Sequence, residues 1–202
     1  MIIDPARLAL VLIDLQNDFL DAAGAFARGG VNVAALAGLP ARLAPLLAAV
    51  RRAGGLVVST HFTLVPGRGG EPIVAPRLKA IRPFLRRGDF ASGSRGHALV
   101  DGLAPADISI EKVGDSGFYM SPLEWVLRHT GIDTLAIGGI ATNGAVASTL
   151  RDAELREFRS LVLADCCAAF DAEQHATALA ALRAVAEITN AATLTATLAR
   201  WG

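Results

Sequence analysis

Apolar runs of strand length alternate along this chain with stretches whose apolar residues recur at helical spacing. Leu8–Ile13 is an unbroken apolar run that stops at Asp14 and reads as a buried strand. Residues 33–53 have helical periodicity, with Pro40 and Pro45 breaking or delaying the start and Gly54-Gly55 closing it. Further strands are predicted over 56–60, from Ile108 to near Lys112, over 135–138, over 161–163 ending at Asp165, and near Ile188. Helices are predicted between them. One opens at Ser121-Pro122, with Ser as cap and Pro at the first helical position, and closes before Gly131. Others cover 142–158, 172–186 and 191–200.

Strands that are apolar throughout and alternate with helices predict a parallel sheet covered on both faces. The fold class is therefore α/β, a three-layer α/β/α sandwich around about six parallel strands, Rossmann-like, in one domain over residues 1–202. Right-handed crossovers bring the strand C-termini to one edge, where open α/β sheets bind ligands. Residues 63–107 are the least regular part. Their Gly, Pro and Arg content predicts a long excursion over that edge, serving as a lid or subunit contact.

Composition adds exclusions. The chain is 52% hydrophobic and 19% charged, with 19 basic and 19 acidic residues. Zero net charge gives no field to recruit nucleic acid or an anionic membrane. No apolar run reaches the ~20 residues of a membrane span. The start, Met1 to Pro5, does not read as a signal peptide, so a cytoplasmic protein is expected. Adjacent Cys166 and Cys167 cannot build a disulfide framework.

Three polar features fall at predicted strand ends. Asp14, directly after a buried strand, is placed for partial desolvation, which raises a carboxyl pKa and suits it to proton transfer. The plainer reading is a cap. Lys112 can orient a carboxylate and stabilise negative charge, or be a solvated surface lysine. The run from Gly138 to Val146 takes a strand through a glycine-flanked turn into a helix, whose first amides and dipole favour an anion. Thr142 or Asn143 would cap that helix. Here too the plainer reading is an ordinary strand-to-helix turn.

These segments together resemble the isochorismatase-like hydrolases, also called cysteine hydrolases. Leu12-Ile-Asp-Leu-Gln-Asn-Asp-Phe19 is similar to their first motif. Glu111-Lys112 with Ser116-Gly-Phe118 and Ser121-Pro-Leu-Glu124 resembles the second. Gly139-Ile-Ala-Thr-Asn-Gly-Ala-Val146 with Ser148-Thr-Leu-Arg-Asp-Ala153 resembles the third. The resemblance implies Asp14 as general acid/base and Lys112 as its partner. It implies a cis peptide between Ile140 and Ala141, and an oxyanion hole from the N–H groups of Ala141 and residue 145. It implies no cofactor, a small-molecule substrate and assembly as a homodimer or homotetramer. Asn143-Gly144 and the stretch from Ser148 to Ala153 look most like the ureidoacrylate and carbamoyl amidohydrolase branches. Phe19, Phe118, Tyr119, Thr142 and Asn143 are candidate substrate contacts, the three aromatics being equally readable as core.

The pattern breaks at Ala145, where most members carry the nucleophilic cysteine that attacks an amide or ureido carbonyl. Three readings stay open. A cysteine was replaced by alanine in an amide, carbamoyl or ureido hydrolase. Or the alanine is natural and Asp14 protonates an enol ether without any thiol, as isochorismatases do. Or the pocket persists as a binding or structural relic. Cys166 and Cys167 are read as buried structural residues rather than substitute nucleophiles. No metal site is expected: His61, His97, His129 and His175 are well separated in sequence, and the His-x-His pair of nicotinamidases is absent.

Overall fold

The computed structural model describes residues 2–201. Strands β1 (Leu8–Ile13), β2 (Leu56–Phe62), β3 (Ile108–Lys112), β4 (Thr134–Ile140), β5 (Arg159–Ala168) and β6 (Glu187–Thr189) form one parallel sheet in the order β3-β2-β1-β4-β5-β6. The order reverses between β1 and β4, and the C-terminal ends of strands at such a switch point are where open α/β sheets place ligands.

Period-two alternation along β1 divides the core. Leu8, Leu10 and Leu12 pack with Leu39, Leu43, Leu46 and Val50 of helix α3 (Leu39–Arg52) and Leu194 and Leu198 of the last helix. Ala9, Val11 and Ile13 face the other layer, with Leu123, Leu127, Leu150 and Leu182. All of β1 is buried. Each fully buried leucine contributes roughly 1.5–3 kcal/mol relative to exposure, so this strand is fixed on both faces and Asp14 is fixed after it.

The expected helix over 33–53 is a short 3-10 turn, Ala34–Leu36, followed by α3. Pro40 sits in the first turn of α3, where its missing N–H costs nothing. Pro45 lies inside the helix on its exposed face, as does Ala41 one turn earlier, so the carbonyl left without a donor faces water. The 19-residue stretch Ala34–Arg52 is long and apolar enough to cross a membrane by length and composition alone, which corrects the expectation that no such run exists. Its leucine face is spent on the sheet.

The helix expected to open at Ser121-Pro122 is α5 (Leu123–His129), with Pro122 rather than Ser121 at the cap position; Ser121 lies one residue further out, where its Oγ accepts from Leu123 N–H at 3.2 Å. β5 runs past Asp165, where it was expected to stop. Its ladder with β4 slips between Ile137 and Gly139, so that Ile137 faces Val162 but Gly139 faces Cys167. The bulge turns Asp165 outward to accept from Ala191 N–H at 3.0 Å, and the strand continues through both cysteines. The helix expected over 172–186 ends at Leu182.

The remaining helices are α1 (Asn17–Leu20), α2 (Ala25–Arg28), α4 (Pro76–Ile81), α5 (Leu123–His129), α6 (Ala147–Glu154), α7 (Ala172–Leu182) and α8 (Ala191–Leu198). α4 is the one helix in the excursion over 63–107. That excursion ends by returning to the first motif. Asn17 N–H donates to Ala98 O at 3.1 Å, Asp18 N–H to Gly96 O at 2.8 Å, and Val100 N–H to Leu15 O at 3.0 Å. Phe26 and Phe90 are the buried aromatics beneath the excursion, and Phe19, Phe62, Phe84 and Phe170 pack against them.

Gly139 is where β4 presses closest on β1. Its φ is +137°, and a Cβ there would stand 2.1 Å from the Ile13 carbonyl oxygen. Gly139→Ala is therefore expected to cost roughly 2–4 kcal/mol through overpacking and backbone strain, read as a lowered urea midpoint at constant m. A loss under about 1 kcal/mol would mean that the two strands part without penalty.

Candidate active site

Asp14 follows β1 directly and takes φ +54°, a left-handed backbone seldom used outside glycine. Such a conformation costs on the order of 1–3 kcal/mol and persists where surroundings enforce it. Here its N–H donates to Thr60 O at 3.2 Å, at the end of the neighbouring strand. The carboxylate is 3% exposed. Oδ2 accepts from Lys112 Nζ at 2.7 Å and Oδ1 from Thr60 Oγ1 at 3.0 Å.

Lys112 is 1% exposed. In β3 its side chain shares the inward face with Ile110, while Ser109 and Glu111 face out. Nζ donates also to Gly114 O at 2.8 Å and lies 5.7 Å from the centre of the Phe62 ring. Burial drives the Asp14 carboxyl above its ordinary range, and the neighbouring Lys112 and Thr60 offset this only in part. A buried carboxylate poised in this way can take up a proton and return it.

Strand β4 ends in a cis peptide between Ile140 and Ala141. The chain then makes a wide π-type turn, Thr142–Val146, before α6. This replaces the single helix expected from 142. Ala145 lies in the turn, 7% exposed, within the same apolar cluster as Ile13 and Cys167. Its carbonyl accepts from Thr149 Oγ1 at 2.7 Å, and Thr149 Oγ1 in turn accepts from Gly117 N–H at 2.8 Å. Thr149 thereby ties the Ala145 turn to the segment after Lys112.

Neither Thr142 nor Asn143 caps the helix, contrary to expectation. The wide turn carries both side chains away from the first free amides. Thr142, fully buried, bonds His175 Nδ1 at 2.8 Å, and Asn143 Nδ2 donates to Gln174 Oε1 at 2.8 Å. Among the candidate contacts, Phe118 lies in the core, its ring stacked on Phe158 at 5.7 Å with Arg156 over it. Tyr119 is 55% exposed and lies against Gly114, whose carbonyl Lys112 holds. Phe19 is half-buried and tilted 6.3 Å from Phe62.

Cys166 and Cys167 are buried, and burial pushes both thiols up to about 12. At neutral pH almost no thiolate forms, so neither stands in for a nucleophile. Among the described residues no cluster of metal-ligating side chains occurs. Two of the four histidines, expected to be apart, do converge: His61 and His97 have ring centres 5.1 Å apart. Their nitrogens are committed to a hydrogen-bond network instead. Ser59 Oγ bonds His61 Nε2 at 2.8 Å, His61 Nδ1 bonds His97 O at 2.9 Å, and His97 Nε2 bonds Thr63 Oγ1 at 2.8 Å. Gln16, fully buried, donates to the same His97 carbonyl at 2.9 Å and to Phe62 O at 3.0 Å.

Burial and His61 hold His97 below the ordinary imidazole value, while Glu111 and Asp18 pull the other way. A depressed imidazole disfavours protonation in the folded state. Its contribution to stability is whole above the unfolded value of about 6.5 and is lost as pH falls through the folded one. The melting temperature should thus drop between about pH 7.5 and pH 5, and His97→Gln should shrink that drop. An equal drop in wild type and variant would count against it.

Sequence reasoning missed Thr60, Gln16 and Thr149. Thr60 alone carried a usable signal, being a polar residue at the end of a buried strand, as Asp14 is.

A parallel sheet with a buried Asp–Lys pair at its switch point is the arrangement of an α/β protein with a candidate site at its C-terminal edge. The chain belongs to the isochorismatase-domain family, whose model matches residues 8–193. Ureidoacrylate amidohydrolase RutB of Methylobacterium radiotolerans is 39% identical over 174 residues, covering 81% of this chain and 67% of the relative. RutB of Pantoea ananatis is 36% identical over 172 residues, covering 80% and 69%. A cysteine hydrolase from Pseudomonas syringae pv. phaseolicola superposes with a TM-score of 0.87 at 25% identity, over 100% of this chain and 97% of that one. N-carbamoylsarcosine amidase from Thermoplasma acidophilum shares the fold, with a TM-score of 0.69 at 24% identity over 92% and 96%.

Proposed function

We propose that this site is that of a hydrolase acting on a non-peptide C–N bond in a small amide, carbamoyl or ureido substrate. Asp14 moves the proton, Lys112 holds Asp14 and steadies developing negative charge, and the N–H groups of Ala141 and Ala145 receive the oxyanion. The observation that carries the reading is the buried Lys112–Asp14 pair, at 2.7 Å, directly after β1 and at the end of β3. The amidohydrolase relatives support the same bond class.

In this chemistry a thiol at position 145 would give its proton to Asp14 and attack the carbonyl carbon. The amine would leave with that proton, and water would then cleave the acyl-thioester. Alanine offers no electron pair, so the covalent route is closed in this sequence. We read position 145 as the site of a cysteine-to-alanine replacement in an otherwise complete apparatus. Binding and the oxyanion site retain a residual advantage over water, as they do when a triad loses its nucleophile.

Ala145 also favours a second reading. The acid form of Asp14, which burial favours, would donate to the carbon of an enol ether, and water would add to the resulting cation. One panel separates the two. The chain and its Ala145→Cys and Asp14→Asn variants are assayed on carbamoyl, ureido and amide compounds and on a vinyl ether. Ammonia or amine release that appears with Ala145→Cys supports the first reading. Vinyl ether hydrolysis by the unmodified chain, abolished by Asp14→Asn, would establish the second instead.

A further inference from the structure

Between residues 66 and 88 the sequence places Arg68, Arg77, Lys79, Arg82, Arg86 and Arg87 against a single acid, Glu71, in a chain whose net charge is zero. Arg87 pairs with Glu71 at 3.5 Å, both well exposed. Among the described residues the other five have no acidic partner. Like charges that outnumber their counter-charge destabilise a compact segment, and with Glu71 engaged by Arg87 this part of the excursion is poised to gain from a further anion.

Two of these cations share a cavity. Lys79 and Arg82 line a half-open space of about 210 Å³, together with Glu71, Pro72, Val74 and Leu85. Arg82 does not wave free in solvent. Its guanidinium carbon lies 5.3 Å from the centre of the Phe26 ring and 5.9 Å from that of Phe170, and Nη1 donates to Ile81 O at 3.1 Å. The two rings are stacked at 5.3 Å. A guanidinium laid on aromatic faces keeps its planar fork oriented, and that fork matches a carboxylate with two parallel hydrogen bonds. A half-open space of this size takes a small molecule or one end of a longer one. Pro72, Val74 and Leu85 give it an apolar floor.

A run of packed aromatic rings leads from the Arg82 guanidinium to the catalytic lysine. Phe26 packs on Phe19 at 4.6 Å, Phe19 on Phe62 at 6.3 Å, and Phe62 lies under Lys112 Nζ.

We propose that Lys79 and Arg82 form a receptor for the carboxylate of a small aliphatic acid. The carboxylate belongs either to a free acid or to the far end of a molecule that also reaches Asp14 and Lys112. The receptor does not depend on the hydrolase reading, because its occupancy is measured without turnover.

The test is calorimetric titration at constant ionic strength with propionate, 3-ureidopropionate and uncharged propionamide. Both acids should bind and propionamide should bind at least tenfold more weakly. Arg82→Gln and Lys79→Gln should each weaken acid binding tenfold or more. Lys79 is exposed, so its variant keeps the test informative if Arg82→Gln folds poorly. Arg77→Gln, whose side chain lies outside the cavity, should change affinity less than twofold. If 3-ureidopropionate binds more tightly than propionate and Asp14→Asn removes that advantage, the acid is one end of a molecule bound at the catalytic pair. Equal binding of the two acids, unaffected by Asp14→Asn, assigns the receptor to a free acid. Propionamide binding as well as propionate, or Arg77→Gln weakening binding as much as Arg82→Gln, overturns the receptor.

Discussion

Ala145→Cys is expected to raise the rate of C–N hydrolysis by on the order of 10⁶ over the unmodified chain on a matched carbamoyl or ureido substrate, the scale on which removing one member of a cooperating nucleophilic set is felt. The size of the gain follows from what is already assembled. Asp14 is buried, held at both oxygens and raised by burial, so a proton acceptor waits for the thiol. Thr149 anchors the Ala145 carbonyl, which keeps the turn in place whatever the side chain. Ammonia release under single-turnover conditions is the measurement. Adding Asp14→Asn to Ala145→Cys should return the rate close to that of the unmodified chain, since the thiol would lose its base. A gain below tenfold, with the new cysteine shown to react with iodoacetamide, would contradict the assignment of position 145.

Lys112→Met is expected to cost roughly 3–5 kcal/mol at neutral pH, the range for removing one partner of a buried ion pair. Methionine fills a similar volume, so the loss is one of charge. It leaves Asp14 buried with Thr60 as its remaining side-chain donor. Lys112 is responsible for the largest effects that hold the Asp14 carboxyl down against burial, and without it the carboxyl rises further and takes up a proton. That gives the loss a pH signature. A carboxyl raised in the folded state destabilises nothing below its unfolded value of about 3.9. Above it, stability falls by up to ~1.4 kcal/mol per pH unit until the folded value is passed. The gap between Lys112→Met and wild type should therefore widen from about pH 5 to about pH 8 in urea denaturation, and Asp14→Asn should abolish the widening. A gap independent of pH would mean that Asp14 is not the group left stranded.

The parts of the fold legible in sequence are those specified locally. β1 is an unbroken apolar run with a charge at its end, and Asp14 stands where that run predicts. Lys112 is legible as a strand-end lysine but not as a buried one, because its burial depends on Asp14, which is 98 residues away. β5 was read too short because Asp165 looks like a terminator, whereas a bulge turns the carboxylate outward and lets the strand go on. Thr142 looks like a cap by type and place, but its partner His175 comes from 33 residues further on. The pairing of His61 with His97 is hidden in the same way, since the excursion that brings them together has little periodicity. Non-local polar contacts are settled by topology, which a pattern of apolar spacing does not encode.

Both roots of the excursion are tied to the site: at the outgoing one, Thr63 N–H donates to Lys112 O at 2.8 Å and Phe62 N–H to Gln16 Oε1 at 2.8 Å. The returning one, residues 96–100, is bonded to the segment that carries Asp14 through three backbone amides and the buried Gln16 side chain. The stretch around Pro66 and Pro72 is held mainly by bonds to itself, such as Gly67 N–H to Glu71 O. The excursion is thus a bridge with a pier at each bank, one on the strand that ends in Lys112 and one on the segment that follows Asp14. A load on the span that carries the arginines is shared between the two members of the buried pair.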